Sequence, residues 1–181
     1  IVLGGPLPHV MAAKALAFQE IKNPSFKEYA HQIVKNAQAL ASKLMELGVK
    51  VLTGGTDNHL IQVDVQTSFG INGRQAENLL RKALITVNRN AIPFDQNGPW
   101  YTSGIRLGTP ALTTLGMKEV QMSEIATVIH NVLSNASKKV LDNGKISKAE
   151  AEIDSQILSD NTQKIHYLLK NFCLYPQLIL D

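Results

Sequence analysis

The sequence predicts an α/β protein of about one domain's size. Apolar residues recur at helical spacing in two long stretches, from His9 to Glu20 and from Phe26 to Leu47. Apolar and polar residues alternate in the segment His59–Val65, which predicts a β-strand. Strands that lie between helices are typical of an α/β or α+β layer, and 181 residues correspond to one domain.

The remaining elements are predicted in chain order. Asn23 and Pro24 separate the first two helices, and Gly48 ends the second. Asn72 is a predicted helix cap. We then expect a strand at 49–53, a turn at 54–58, a helix at 73–83, strands at 84–87 and 104–108, and helical spacing at 118–133 and 147–169, with a turn at 141–145.

Composition excludes several classes of function. Hydrophobic residues make up 44% and charged residues 18%, so the chain can bury an ordinary core, and the net charge of +3 is scattered rather than clustered for nucleic-acid binding. The single cysteine, Cys173, excludes an internal disulfide and points to the cytoplasm. No apolar run reaches the roughly 20 residues of a membrane span. The histidines lack metal-ligand spacing, so no metal site is expected.

The segment Thr86–Pro110 is the strongest candidate for a binding site. It contains three proline and three glycine residues, and long loops of this kind usually bind a ligand or close over one. Arg106 stands where this loop enters an apolar strand, and a guanidinium on a rigid strand suits a planar carboxylate. A structural Arg106 paired with a buried carboxylate or a helix C-terminus is equally compatible with the residues alone.

Two further groups have a plain structural interpretation beside a functional one. Gly4 and Gly5 could bring backbone amides to a phosphate at a helix start, although junction glycines also serve ordinary turns. Asp57 and Asn58 suit a hydrogen-bonded turn. His59 and Asp64 differ by an odd number of residues, so they lie on opposite faces of a strand and are not expected to act as a pair.

Several segments together resemble the serine hydroxymethyltransferase family. The matching segments occur in the family's order and spacing, and they are 4–7, 9–14, 53–60, 85–93 and 102–111. The resemblance covers residues 1 to about 135, whereas the tail shows no family motif. Because the chain starts without Met, it is expected to be a piece of a longer polypeptide, and the resemblance implies that this piece is the C-terminal part.

The resemblance implies a pyridoxal-phosphate-dependent transferase of the aspartate-aminotransferase-like fold type I. Such an enzyme interconverts serine and glycine and passes the one-carbon unit to tetrahydrofolate. It implies that Arg106 binds the amino-acid carboxylate. Gly5, with Gly4 beside it, would bind the cofactor phosphate across a dimer interface. The family's folate contacts map to Asn90, Gly98, Pro99 and Trp100, although Gly98-Pro-Trp replaces a common Ser-Pro-Phe.

The resemblance also implies an organisation and a limit. Residues 1–22 would be the end of the large cofactor-binding domain and a linking helix, and residues 23–181 the small α/β domain with a helical tail. The full-length enzyme would be a homodimer or a dimer of dimers. The cofactor lysine, the acid that pairs with the pyridine nitrogen, the ring-stacking histidine and the proton-handling glutamate are not among these 181 residues, so the chain alone is predicted to be inactive.

Two other functions are alternatives to the transferase. A threonine-aldolase-like enzyme would use the carboxylate clamp but would need no folate loop, and the segment 88–100 argues against it. A non-catalytic homologue would keep the fold as a binding or assembly module, and an intact Arg106 and Gly5 favour the enzyme over it.

Overall fold

The computed structural model describes residues 4–174, and this part of the chain contains eight α-helices and five β-strands. The mixture confirms the predicted α/β class. The helices are α1 (Pro8–Glu20), α2 (Pro24–Glu46), α3 (Val65–Phe69), α4 (Gly73–Lys82), α5 (Gly98–Tyr101), α6 (Pro110–Thr114), α7 (Glu119–Ser134) and α8 (Ser155–Lys170). The strands are β1 (Leu60–Asp64), β2 (Asn88–Asn90), β3 (Gly104–Gly108), β4 (Ser137–Val140) and β5 (Ile146–Glu152).

Three strands form an antiparallel sheet in the order β1, β3, β2. In the central strand, Arg106 pairs with Gln62 of β1 on one side and with Asn88 of β2 on the other. Side chains alternate between the two faces of a strand, and the neighbours Ile105 and Leu107 are buried in the core. The sheet therefore has one face packed into the core and an opposite face that carries Arg106.

The core lies between the sheet and the helices α2 and α7, which pack against each other. The apolar residues of α2 recur three and four positions apart, so they form one face of the helix. Buried side chains of α7 meet them. Full burial of one leucine contributes roughly 1.5–3 kcal/mol to folding. The buried apolar residues of α2 are Ala37, Leu40, Ala41 and Leu44.

Helix α1 is present as predicted, but it buries none of its residues. Leu7, Met11, Leu16 and Phe18 expose between 46% and 65% of their surface. Contiguous exposed apolar side chains usually mark a surface that another part of a protein covers. The predicted boundary after residue 22 fits this exposure and stays a prediction. Within residues 4–174, no helix is long and apolar enough to cross a membrane.

The predicted strand at 49–53 is wrong. Only Val51 pairs there, in a single bridge with Val63 of β1. The chain then turns through a short 3₁₀ segment at Leu52–Gly54, and Thr53 has a φ of 62°. This left-handed conformation is incompatible with an extended strand, so the ladder cannot continue past Val51.

The predicted strand at 84–87 is also wrong. Leu84 has a φ of 64° and turns the chain directly after α4. The strand starts later, at Asn88, inside the segment that the sequence predicts to be a loop. The apolar residues of 84–87 suggested a strand there, but the segment that pairs with the backbone of β3 is Asn88–Asn90. Tertiary contacts of this kind commonly override local strand propensity.

The tail differs most from the prediction. Helical spacing predicts a helix over 147–169, but its first part is β5, which pairs with β4 in an antiparallel hairpin. The predicted turn at 141–145 connects the two strands, and α8 begins only after Asp154, whose carboxylate accepts the backbone N–H groups of Gln156 and Ile157. The first six residues of the predicted helix, 147–152, therefore belong to a strand.

Gly104 lies where β3 passes between its two neighbours, and we predict that Gly104→Ala destabilises the fold. A Cβ atom there would lie 2.5 Å from Cγ2 of Ile92 and 2.8 Å from the carbonyl oxygen of Val63. Overpacking of this kind costs about 1–3 kcal/mol. Urea denaturation of the chain measures the loss.

Gly108 of the same strand is the matched control, because a Cβ there has its nearest contact at 3.4 Å, with Cδ2 of Leu60. We expect Gly108→Ala to change the free energy of unfolding by less than about 0.5 kcal/mol. Equal destabilisation by the two substitutions would mean that crowding at Gly104 is not the constraint.

Candidate functional site

Arg106 lies in the middle of the open face of the sheet. Its cross-strand neighbours, Gln62 and Asn88, share that face. Within residues 4–174 the guanidinium of Arg106 has no carboxylate within 4.0 Å, and no side-chain hydrogen bond is formed there. The alternative of a structural arginine with an internal partner therefore finds no support in the described chain. Among the described residues, the donors of Arg106 are therefore left without an acceptor side chain.

A groove of about 610 Å³ opens beside Arg106. Its walls are the segment 52–58 together with Leu60, Gln62 and Arg106. The backbone curves sharply in this wall. Gly55 has a φ of 142°, a value that residues other than glycine rarely adopt. Sequence reasoning missed Gln62, because alternation places it on a strand face but cannot show which strand it pairs with.

The segment that forms this wall is a hydrogen-bonded turn, as predicted. The Thr56 hydroxyl donates to the carbonyl oxygen of Leu60 at 2.7 Å, and the Leu60 N–H donates to Asn58 Oδ1 at 2.8 Å. Asp57 is exposed beside them. The polar residues of this turn therefore serve its geometry, and the turn holds the groove wall in place.

Asp64 is a buried structural carboxylate and not a partner of His59. It accepts hydrogen bonds from Lys50 Nζ at 2.8 Å and from the N–H and hydroxyl of Thr67 at 2.9 and 2.6 Å. Burial by itself would raise the pKa of Asp64, but the hydrogen bonds from Lys50 and Thr67 hold that pKa below its ordinary value. Asp64 thus stays ionised and caps α3.

The loop between β2 and β3 is organised around Asp95, which sequence reasoning missed. Its carboxylate accepts the N–H groups of Ile92, Asn97 and Ser103 at 3.1, 2.8 and 2.7 Å, and the Ser103 hydroxyl at 2.7 Å. The Pro-Phe-Asp-Gln-Asn run has the composition of an Asx-turn, so turn chemistry could have identified it. One side chain therefore fixes both ends of the loop.

The predicted folate residues lie on this loop. Asn90 ends β2, where its side-chain amide donates to the carbonyl oxygen of Ala91 at 2.8 Å. Gly98 has a φ of 69° and Pro99 follows it as a residue of the first turn of α5. Trp100 follows, with 58% of its surface exposed. Asn90 thus lies at the end of the strand that enters the loop, and the other three residues lie within the loop, with an aromatic side chain reaching solvent.

Two guanidinium groups lie close to the Trp100 ring. Arg74 of α4 is 5.0 Å from the ring centroid and Arg89 of β2 is 5.1 Å from it. Arg89 also donates to the Glu77 carboxylate at 2.7 Å. These are cation–π distances. No local motif joins Arg74 and Arg89 to Trp100, so the sequence alone carried no signal for this arrangement.

Gly4 and Gly5 are exposed and precede α1, and they do not line the groove. The space around both backbones is open. Their expected role across a dimer interface stays a prediction. Among residues 4–174, no three His, Cys, Asp or Glu side chains are grouped as they would be around a metal ion.

The carboxylate of Asp95 should contribute to stability in a pH-dependent way. Burial would raise its pKa, but the hydrogen bonds from Ser103 and Asn97 outweigh burial and hold the pKa of Asp95 below its ordinary value. A folded-state pKa below the unfolded value of about 3.9 stabilises the fold at higher pH, and this stabilisation is lost as pH falls through the folded-state pKa.

We therefore predict that Asp95→Asn destabilises the chain by about 1–3 kcal/mol at pH 7, since charged hydrogen bonds are lost. The difference from the parent should shrink as the pH falls below about 3.9. Urea denaturation at pH 7 and at a pH below about 3.9 measures the difference in the free energy of unfolding. Asp57→Asn, at an exposed position, is the control. A difference that persists unchanged at acid pH would contradict ionisation of Asp95 as the cause.

Comparison with known proteins connects this geometry to a family. The family model described as serine hydroxymethyltransferase matches residues 2–129. Relatives named serine hydroxymethyltransferase include those of Treponema pallidum, 50% identical over 178 residues, and Chlamydia muridarum, 48% identical over 181 residues. These alignments cover 98% and 100% of this chain, and therefore its tail, but only 31% and 36% of the relatives. The chain thus spans about a third of the curated relatives it matches, and it belongs to the serine hydroxymethyltransferase family.

Proposed function

We propose that this chain is the C-terminal part of a pyridoxal-phosphate-dependent enzyme that interconverts serine and glycine and transfers the one-carbon unit to tetrahydrofolate. The observation that carries the proposal is Arg106, a guanidinium without an internal partner among the described residues, on the central strand beside an open groove. The family membership supports it.

Arg106 would bind the carboxylate of serine or glycine. Both of its strand neighbours are themselves paired to β3 by the backbone, so the base of the side chain is held on a rigid element. A guanidinium presents two parallel N–H donors to a carboxylate, and such a pair fixes orientation as well as distance. The amino acid would then be held with its α-carbon in a constant position relative to the reacting groups of the enzyme.

Pyridoxal phosphate would be held in part by Gly4 and Gly5. Their backbones are exposed and unobstructed, and among the described residues their N–H groups have no hydrogen-bond acceptor, so these amide donors would be available to a phosphate. The residues present therefore fit the phosphate end of the cofactor. When bound, the cofactor supplies an electron sink for the substrate's α-carbon.

Asn90, Gly98, Pro99 and Trp100 would contact tetrahydrofolate. The support is their common position on the loop fixed by Asp95, together with the exposed indole of Trp100. The nearby Arg74 and Arg89 would give this surface affinity for an anionic ligand. A loop of this kind is unnecessary in an aldolase that uses no folate.

The full-length enzyme would be a homodimer or a dimer of dimers in the cytoplasm. The exposed apolar side chains of α1 support a partner surface, and the single cysteine supports a reducing compartment. The 181-residue chain alone should be inactive, since the cofactor lysine and the other upstream groups implied by the family are not among its residues.

An absorbance titration of the full-length protein tests this function. Purified with pyridoxal phosphate, it should show a cofactor band that changes with glycine and changes further, at long wavelength, when tetrahydrofolate is added. A response to glycine that ignores folate would indicate an aldolase-like enzyme. A cofactor spectrum that ignores both ligands would indicate a non-catalytic homologue.

The role of Arg106 is tested by Arg106→Lys in the full-length enzyme. Lysine keeps the charge but cannot form the bidentate pair, so the affinity for glycine and serine should fall by at least about tenfold, or roughly 1.4 kcal/mol. Arg81→Lys, at an exposed position on α4, is the control and should leave both affinities unchanged. Unchanged amino-acid binding by the Arg106 variant would remove Arg106 from the site.

A further inference from the structure

The β4–β5 hairpin lies beyond residue 129, where the family model ends, yet it is part of the folded unit around the site. It packs against α4, the helix that precedes β2 and carries Arg74. The relatives of Treponema pallidum and Chlamydia muridarum align with the chain through this hairpin. The hairpin carries none of the residues proposed to bind the amino acid, the cofactor or folate.

Three amide side chains, from α4 and its N-cap residue Asn72, hold the hairpin in place. Asn72 donates to the carbonyl oxygen of Lys148 at 2.9 Å, Gln75 to that of Ser147 at 2.7 Å, and Asn78 to that of Ala149 at 2.9 Å. Residues three positions apart lie on one face of a helix, so these donors form a row against β5. The hairpin is therefore fixed to α4 by a set of specific polar contacts.

The same end of α4 holds α5, the short helix that carries Trp100. The N–H of Gly73 donates to the carbonyl oxygen of Thr102 at 3.0 Å. A Cβ at Gly73 would overlap Oγ1 of Thr102 and the backbone carbonyl oxygen of Gly104, so glycine is required for this approach. Thr102 itself has a φ of 56°, a strained conformation that the surrounding contacts must maintain.

The hairpin also contacts α5 directly through Lys148. The Lys148 ammonium lies 5.7 Å from the centroid of the Tyr101 ring, and Arg74 lies 5.8 Å from the same centroid. Among the described residues, Lys148 has no carboxylate within 4.0 Å, so its contact with Tyr101 is the one short-range charge interaction it makes there. Tyr101 is half-buried, and it directly follows Trp100 in the sequence.

We propose that the β4–β5 hairpin positions the folate loop, and that Lys148 is the positioning residue that acts through Tyr101. The inference rests on the proposed folate role of the loop. Lys148 fixes the Tyr101 ring from the hairpin side, and Tyr101 in turn fixes its neighbour Trp100 at the ligand surface. The tail of this chain thus belongs to the support of the site, although the family model ends before it.

Lys148→Met in the full-length enzyme tests this role, because methionine is also a long, flexible side chain but carries no charge. The KM for tetrahydrofolate should rise about two- to fivefold, which corresponds to loss of an exposed cation–π contact. The KM for serine and kcat at saturating folate should stay unchanged. Lys148→Arg should restore the KM for folate, since arginine also forms cation–π contacts.

Two further variants separate positioning from simple packing. Lys145→Met, in the exposed turn of the same hairpin, should leave every constant unchanged. Asn78→Ala removes one donor that holds β5 and should raise the KM for folate without altering Tyr101 or Lys148. A normal KM for folate in the Lys148→Met variant, or an equal rise in the KM for serine, would overturn the proposal.

The outcome for the parent enzyme distinguishes this inference from the proposed function. A folate-responsive parent with an unaffected Lys148→Met variant overturns only the role of the hairpin. A parent whose cofactor spectrum ignores folate overturns both.

Discussion

Backbone crowding at Gly104 sets the geometry on which the site depends. Strand β3 passes between β1 and β2 so closely that no side chain fits at this position, and the pairing places Arg106 opposite both Gln62 and Asn88. A shift of one residue in this register would turn Arg106 into the core and bring Ile105 to the open face. The position of the guanidinium therefore follows from a steric constraint two residues away.

Polar side chains then convert an irregular loop into a rigid surface. Asp95 accepts hydrogen bonds from both ends of the loop, and the carbonyl oxygen of Thr102, whose φ is 56°, accepts a hydrogen bond from the N–H of Gly73 at the start of α4. A binding loop that is already ordered loses less conformational entropy when a ligand binds. The buried carboxylate of Asp64 also organises the backbone around it. It lies on the edge strand β1, accepts hydrogen bonds from Thr67 and caps α3.

The sequence was sufficient to predict the parts of this chain that depend on local pattern. The helices α1, α2, α4 and α7, the strands β1 and β3, and the turn at 54–58 are present as expected. The position of Arg106 on a strand was also predicted, but the residues alone did not decide between an exposed guanidinium and one paired inside the chain. The β4–β5 hairpin could not be predicted in this way, because the amide side chains that hold it come from α4, more than 70 residues earlier.

The cations around Trp100 could not be predicted from the sequence either, because they too come from distant parts of the chain. Arg74, Arg89 and Lys148 come from three separate elements, and each lies within 6 Å of the centroid of the Trp100 or Tyr101 ring. In residues 4–174 only Arg89 of these three has a carboxylate partner, Glu77. The surroundings of the loop between β2 and β3 thus carry a local excess of positive charge that the modest net charge of the whole chain does not reveal.

This charge excess has a kinetic consequence. A cluster of cations at a surface attracts an anion over about 10 Å at 0.1 M ionic strength, and over a shorter distance as salt is added. Capture of an anionic cosubstrate at this loop would therefore be accelerated in dilute buffer and slowed by salt, whereas its rate of escape would change much less. The cations around Trp100 and Tyr101 would thus attract the anion at long range before the aromatic rings contact it.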